Sequence, residues 1–278
     1  MAAALVTLPL HEALLDARRR GVPHIEASLD LGRTREAVAI REHRWGGASG
    51  TYPYLESCRD RTIYHWTGEG FEPAARYGNA LVKLVPTQWG PPTFEIDGIK
   101  MLPTSRVSPY EDARRKVDLV RPRGQAVLDT CGGLGYFAAC CLERGASRVL
   151  SFEKSADVLW LRTLNPWSPR CTGPPLELVH GDVTEHVRAL PDAAFDAVLH
   201  DPPRFGIAGE LYSSEFYAEL ARVLRPAGRL FHYTGSPNRL TSGRDVPHEV
   251  TRRLMAEGFR TERSGDGVLA SKAPRKHC

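Results

Sequence analysis

Four polar or glycine-rich features of this 278-residue chain each follow a short apolar segment. The first is the turn that begins after Asp129, and the others are Glu153, Asp182 and the loop Asp201-Pro202-Pro203-Arg204. In open α/β sheets the ligand crevice lies at the carboxyl ends of the strands. Because all four features would lie at such ends, they predict a ligand site more strongly than one glycine-rich turn would.

The stretch from Ala126 to Gly135 (AVLDTCGGLG) ends an apolar run in Asp129 and continues through a tight turn into an apolar, helix-patterned segment. Gly133 and Gly135 let the backbone approach a ligand without an intervening Cβ and tolerate positive φ. The ligand would then meet the N-terminus of the helix. This pattern is typical of the first βα unit of a nucleotide-binding α/β sheet.

Two acidic residues have roles suggested by their positions. Glu153 lies 24 residues beyond Asp129, where a carboxylate accepts hydrogen bonds from a ribose diol. Asp182 follows the third predicted strand, where it would accept from an adenine amine or cap the next helix. One residue can serve both purposes, so these alternatives stay open.

Strand and helix patterns alternate from Ala126 to the end of the chain, which predicts an α/β fold with a mostly parallel sheet and helices on both faces. From Pro23 to about Leu102, short alternating runs separated by glycine and proline predict a small β-rich domain. Residues 1–20 predict an amphipathic helix that ends at Gly21. We therefore expect a helix plus β-rich domain over 1–102 and a second domain over 103–278.

Composition limits the other possibilities. The net charge of +4 is spread along the chain without a dense basic block, so charge permits nucleic-acid binding but does not indicate it. No apolar run has the length of a membrane span, and the histidines show no metal-ligand spacing. We expect a cytoplasmic protein without metal or membrane partners. Its cysteines show no CxxC pair and are expected to be reduced thiols: Cys58, Cys131, Cys140, Cys141, Cys171 and Cys278.

The run from Asp129 to about Gly235 resembles class I S-adenosyl-L-methionine-dependent methyltransferases. The motifs LDTCGGLGY, HDPPRFGIAGELYSSEFY and RLFHYTG resemble more closely an uncharacterised family of predicted methyltransferases from archaea and bacteria. The resemblance implies a Rossmann-like, seven-stranded sheet and S-adenosyl-L-methionine as the cofactor. By position it also implies the cofactor contacts: Asp129, Cys131, Gly133 and Gly135 at the methionine end, Glu153 at the ribose and Asp182 at the adenine. Cys131 stands where the commonest form of the turn has glycine, so its side chain must be accommodated.

The DPPR loop resembles the [D/N]PP[Y/F] motif of methyltransferases that act on planar amino nitrogens. The resemblance implies that Asp201, with a carbonyl of Pro202 or Pro203, holds the target NH2 towards the methyl group. Arg204 replaces the usual aromatic residue, which favours a carboxylate or phosphate on the substrate over base stacking. Tyr212 would line the acceptor pocket with Arg204, whereas His200 is expected to be a buried structural histidine.

Other functions remain possible on the sequence alone. Ala138 is allowed at the third glycine position of a dinucleotide fingerprint, but a dehydrogenase has no need for the DPPR loop. RNA uracil methyltransferases also carry DPPR, but they need a catalytic cysteine near RLFHYTG, where this chain has none. The run GELYSSEFY resembles aminopropyltransferases, which use decarboxylated S-adenosylmethionine. A non-catalytic cofactor-binding module is the third alternative, and the acceptor stays open among RNA bases, protein side chains and small metabolites.

Overall fold

The chain divides into two structural units in the computed structural model, which describes residues 3–170, 173–204, 206, 208–235 and 245–274. One unit comprises Met1–Asp112 with Asp157–Ser168, and the other Ala113–Ala156 with Pro169–Cys278. In the part of the chain so described, no helix combines the length and the apolar character needed to cross a bilayer.

The first unit consists mainly of short antiparallel strands. Its elements are β1 (Leu5–Val6), α1 (Leu8–Arg19), β2 (His24–Ala27), β3 (Glu36–Ile40), β4 (Arg44–Gly47), β5 (Gly50–Pro53), β6 (Tyr64–Trp66), β7 (Phe71–Pro73), β8 (Ala75–Tyr77), β9 (Leu81–Val85), β10 (Thr93–Ile96) and β11 (Ile99–Lys100). These strands form three small sheets, β1-β6-β7, β2-β3-β4-β5 and β11-β10-β9-β8. Trp45, Tyr52 and Phe71 pack in the core, with ring centroids 5.0–6.0 Å apart.

The expected helix over residues 1–20 is shorter than predicted. Leu5 and Val6 pair with Tyr64 and His65 as a two-residue strand, and the helix starts only after Thr7, with a proline in its first turn. An edge strand satisfies the backbone groups of these apolar residues, which periodicity alone cannot distinguish from the first turn of a helix.

The alternating elements belong mostly to the second unit. They are α2 (Pro109–Val120), β12 (Ala126–Asp129), α3 (Tyr136–Glu143), β13 (Arg148–Glu153), α4 (Ala156–Leu164), β14 (Leu176–His180), α5 (Val183–His186), β15 (Phe195–His200), α6 (Ser214–Val223), β16 (Leu224–Tyr233), α7 (Val246–Ala256), β17 (Phe259–Ser264) and β18 (Gly267–Lys272). Short 3₁₀ helices cover Val187–Ala189 and Gly209–Tyr212. Helix α2 begins in the first unit, and α4 lies in it except for Ala156.

The large sheet has seven strands in the order β14-β13-β12-β15-β16-β18-β17. The first five strands pair in parallel, and β18 and β17 add two antiparallel pairings. The prediction of a seven-stranded, mostly parallel sheet is therefore confirmed, and β18 is the strand that runs against the other six. The chain runs outward from β12 to β14 and returns to β15 beside β12, which makes the β12/β15 junction the topological switch point.

His200, the last residue of β15, is hydrogen-bonded inside the core. His200 is fully buried, and burial lowers its pKa to about 4. Its Nε2 lies 3.0 Å from the Leu211 carbonyl oxygen, which can only accept, so Nε2 carries the proton. Nδ1, 2.6 Å from the Thr130 hydroxyl, then accepts from it. His200 is thus the structural histidine that the sequence predicted.

A second buried histidine stands beside the first, its ring centroid 4.4 Å from that of His200. Burial, together with the neighbouring His200, holds the pKa of His232 well below its usual value. Its Nδ1 donates to the Tyr233 carbonyl at 2.8 Å, so its Nε2 accepts from the Tyr217 hydroxyl at 2.8 Å. Both rings are therefore neutral in the folded protein.

Because His200 and His232 are buried as neutral rings, we expect the protein to lose stability in mild acid. The unfolded chain titrates these imidazoles near pH 6.5, so their neutral form contributes stability that is complete above that pH. Because the unfolded state binds more protons below that pH, stability falls as the pH drops towards the folded pKa values, which are about 4 for His200 and well below the usual value for His232. We expect the double variant His200→Gln, His232→Gln to reduce the slope of unfolding free energy against pH by up to about 1.4 kcal/mol per pH unit for each histidine.

Urea denaturation at several pH values between 7.5 and 4.5 measures this slope. The exposed His24 provides a matched control, and His24→Gln should leave the slope unchanged. An unchanged slope in the double variant would show that other groups govern the acid sensitivity.

Candidate active site

The glycine-rich turn joins β12 to α3 at the switch point. Gly133 and Gly135 have φ of +49° and +82°, and Gly135 is the N-cap of α3. The Gly132 amide donates to the Phe152 carbonyl at 2.7 Å, which attaches the turn to the neighbouring strand β13. Positive φ explains why glycine stands at both positions.

Glu153 ends β13 and reaches across to the same turn. Its Oε2 accepts from the Gly133 amide at 2.8 Å, and its Oε1 accepts from the Ser155 amide at 2.8 Å. The two backbone donors fix the direction of the carboxylate. A carboxylate has about four lone-pair sites, so one anchored in this way can also accept from a ligand.

Asp129 lies beneath the turn, and only 1% of its surface is exposed. It is paired in register with Ser151 of β13, whose hydroxyl donates to Asp129 Oδ2 at 2.8 Å. The carboxylate is thus held in the sheet from the side of β13, at the end of β12.

Cys131, at the position where glycine is usual, fits as a partly buried, neutral thiol. Burial raises its pKa well above the usual value, and the nearby carboxylates of Glu153, Asp129 and Asp201 raise it further. The thiol therefore stays protonated and does not act as a nucleophile. These three carboxylates stand at or directly after the ends of β12, β13 and β15, which pair side by side in the sheet.

Asp182 has the structural role that the sequence allowed, the N-cap of α5. Its Oδ1 accepts from the Thr184 amide at 2.9 Å and from the Thr184 hydroxyl at 2.7 Å. Lys154 donates to its Oδ2 at 2.7 Å. These bonds outweigh the cost of partial burial and lower the pKa of Asp182, so the carboxylate is ionised.

The DPPR loop follows β15 at the other side of the switch point. Asp201 is partly buried, Pro202 is buried and Arg204 is exposed. The Tyr212 hydroxyl donates to the Pro203 carbonyl at 3.0 Å, and burial raises the Tyr212 pKa. Tyr212 is therefore a neutral phenol that holds the loop in place. The sequence predicted Tyr212 as a residue that lines the acceptor pocket. Phe205, beside Arg204, is outside the described residues.

One site residue was missed by the sequence analysis. Lys116 of α2 is 4% exposed, and its Nζ lies 3.5 Å from Asp201 Oδ2. The available signal was its position on the buried stripe of α2, three residues after Ala113 and four before Val120, both buried. A lysine on such a stripe needs a buried anionic partner, and Asp201 is that partner.

The remaining expectations concern metal ions and thiols. Within the ranges that the structure describes, no group of three or more histidine, cysteine or acidic side chains is placed to hold a metal ion. Cys58, Cys131, Cys140 and Cys141 are free thiols. Cys171 and Cys278 lie outside the described residues.

The site residues fit S-adenosyl-L-methionine. The turn brings bare backbone and the N-terminus of α3 to the end of β12, and Glu153 is oriented there by two amides. Asp129 and Glu153 stand at the ends of β12 and β13, and carboxylates in these positions suit a cofactor that carries a sulfonium cation.

Known proteins are similar to large parts of this chain. A protein-family model for S-adenosyl-L-methionine-dependent methyltransferases matches residues 157–243. An uncharacterized protein of Methanocaldococcus jannaschii is 47% identical over 193 residues, covering 69% of this chain and 66% of that protein. A polyamine aminopropyltransferase of Mycobacterium tuberculosis is 35% identical over 123 residues, covering 41% of this chain but only 23% of the relative. The matches thus relate the chain to parts of these proteins.

Among solved structures, a spermidine synthase in complex with the transition-state analogue AdoDATO has a TM-score of 0.59 at 20% identity. The similarity covers 72% of this chain and 73% of that chain. At so low an identity the likeness shows the fold alone. The family model therefore places residues 157–243 among S-adenosyl-L-methionine-dependent methyltransferases, and the spermidine synthase shares the fold.

Proposed function

We propose that the protein transfers the methyl group of S-adenosyl-L-methionine to a nitrogen atom held by the DPPR loop. The observation that carries the proposal is that the parallel strands β12, β13 and β15 bring the glycine-rich turn, the amide-anchored Glu153 and the DPPR loop to one edge of the sheet at the switch point. When bound, the cofactor supplies a methyl group on a sulfonium, a leaving group that needs no acid catalyst.

In the proposed arrangement the residues of the turn and of β13 hold the cofactor. Gly133 and Gly135 admit its methionine end, beside Asp129 and Cys131. Glu153 accepts from the ribose diol because its orientation is already set by two backbone amides. Asp182, although it caps α5, stands after the next strand and would contact the adenine with its remaining surface.

Asp201 and the prolines that follow it would position the acceptor. An ionised Asp201 accepts an N–H of the target, and the Pro202 carbonyl accepts a second one, while the Pro203 carbonyl is engaged by Tyr212. The exposed Arg204 would bind an anionic group on the same acceptor. Since the methyl group is already activated, catalysis is mostly positioning, which can supply about 7–11 kcal/mol.

Aminopropyl transfer is the second candidate, favoured by the 35% identity to the mycobacterial aminopropyltransferase. The two reactions share the sulfonium chemistry and differ in the carbon attacked and in the cofactor, which is decarboxylated for aminopropyl transfer. The family model and the DPPR loop favour methyl transfer. A binding module without turnover is the third candidate.

Cofactor preference separates the two reactions. We expect calorimetry to show at least tenfold tighter binding of S-adenosyl-L-methionine than of its decarboxylated form. The reverse order, with release of methylthioadenosine, would establish aminopropyl transfer instead. If neither sulfonium bound, both enzymatic proposals would be wrong.

Removal of the Glu153 charge should weaken cofactor binding. A hydrogen bond to a charged group is worth about 1.5–3 kcal/mol, so Glu153→Gln should raise the Kd of S-adenosylhomocysteine about ten- to a hundredfold. Calorimetry measures this, and Glu177→Gln, at an exposed carboxylate of the next strand, is the control. Equal affinities of the two variants for S-adenosylhomocysteine would exclude a contact between Glu153 and the ribose.

Asp201 should affect turnover and not cofactor affinity. With labelled cofactor and fractionated RNA, protein and metabolite pools, Asp201→Ala should lower methyl incorporation about a hundredfold or more, the usual cost of misplacing a reactant by about 1 Å. The exposed Glu210, further along the same loop, gives the control Glu210→Ala. Full incorporation by Asp201→Ala would remove the DPPR loop from the mechanism, and no incorporation by the wild type into any pool would favour the binding module.

A further inference from the structure

The ammonium group of Lys116 lies in a small polar cluster beside the proposed acceptor position. Its Nζ is 3.5 Å from Asp201 Oδ2 and 3.9 Å from Asp266 Oδ2, and it lies 4.1 Å from the centroid of the Tyr233 ring. Only 5% of the lysine side chain is exposed, against 20% and 34% for the two aspartates. The cation is thus the most deeply buried charge of the cluster.

Two carboxylates and the face of an aromatic ring form an arrangement that binds organic cations. In this chain the cation at that position is the ammonium group of Lys116. A buried ammonium requires anionic partners, and Lys116 uses the two carboxylates for this purpose. A protonated amine that entered the site would have to displace Lys116 or be repelled by it.

The cluster is attached to the sheet on three sides. Asp201 follows β15 and Tyr233 ends β16. Asp266 stands in the turn between β17 and β18, where its carbonyl accepts from the Thr234 amide at 3.1 Å. Because each partner of Lys116 is fixed by a different strand end, the ammonium position is set by the sheet and not by a mobile surface loop.

We infer that Lys116 is a specificity-determining residue that occupies the place of a protonated amine and restricts the acceptor to an uncharged nitrogen. The inference rests on the proposed methyl transfer and names the substrate class for it. An ammonium near Asp201 favours the ionised carboxylate, which then accepts a hydrogen bond from a neutral amino or amide N–H but is too weak a base to deprotonate an alkylammonium.

An uncharged nitrogen also satisfies the chemistry of transfer. Its lone pair forms the new N–C bond while the C–S bond breaks, and the pair of electrons from that bond goes to sulfur. The positively charged nitrogen then loses a proton to water. A protonated alkylamine has no lone pair for the first step, so exclusion of such amines costs the reaction nothing.

A cationic diamine tests the inference without knowledge of the acceptor. Calorimetric titration of putrescine into protein saturated with S-adenosylhomocysteine should give no measurable binding for the wild type. Lys116→Met leaves Asp201, Asp266 and Tyr233 in place and should bind putrescine. We expect its Kd for putrescine to be at least tenfold below the highest Kd that the wild-type titration can detect. Lys116→Arg keeps the positive charge and should not bind putrescine. Arg115→Met removes a charge from the exposed neighbouring position and should not bind putrescine either.

S-adenosylhomocysteine binding to each variant is measured first and shows that the variant is folded. Lys116→Gln replaces Lys116→Met if the latter does not fold. Putrescine binding by the wild type would overturn the inference, and so would no gain in either neutral variant. A tenfold loss of S-adenosylhomocysteine affinity in the neutral variants, with affinity retained in Lys116→Arg, would show that Lys116 holds the cofactor instead. Failure of the wild type to bind S-adenosylhomocysteine would count against the proposed function itself.

Discussion

The parallel pairing of β12 with β13 on one side and β15 on the other is the constraint on which the site depends. The pairing places Asp129 beside Ser151 and beside Leu199. All three strands consequently end at the same edge of the sheet, although Glu153 and Asp201 are far apart in sequence. A one-residue slip of any strand would turn its side chains to the opposite face, so apolar burial of these strands also fixes the position of the carboxylates.

Two hydrogen bonds between buried polar side chains hold the strand ends at this edge and keep the site rigid. Asp129 accepts from Ser151, and His200 accepts from Thr130. An unsatisfied buried donor or acceptor costs about 1–3 kcal/mol, so rearrangement of the strand ends would lose several such bonds together. The proposed acceptor loop benefits directly, because the Leu211 carbonyl bound by His200 precedes Tyr212, whose hydroxyl holds the Pro203 carbonyl.

Charge at the site is arranged in two parts. At the ends of β12 and β13 the carboxylates of Asp129 and Glu153 suit a cationic cofactor. Beside the proposed acceptor position, Lys116 balances Asp201 and Asp266. The proposed division between a charged cofactor and an uncharged acceptor therefore depends on the lysine partner of Asp201.

Local patterns in the sequence determined the α/β order of the second unit, the glycine turn and the strand-end positions of Glu153 and Asp201, because hydrophobic period and turn chemistry act within a few residues. They also left Asp182 correctly open to a capping role. They failed where the competing structures have the same local pattern, as at Leu5 and Val6, which form an edge strand instead of a helical turn. The tertiary structure alone decided that Lys116 of α2 meets Asp201 and that Tyr212 fixes the DPPR loop. Such contacts join residues from separate elements, and their distances are set by how helices and strands pack, which no local pattern encodes.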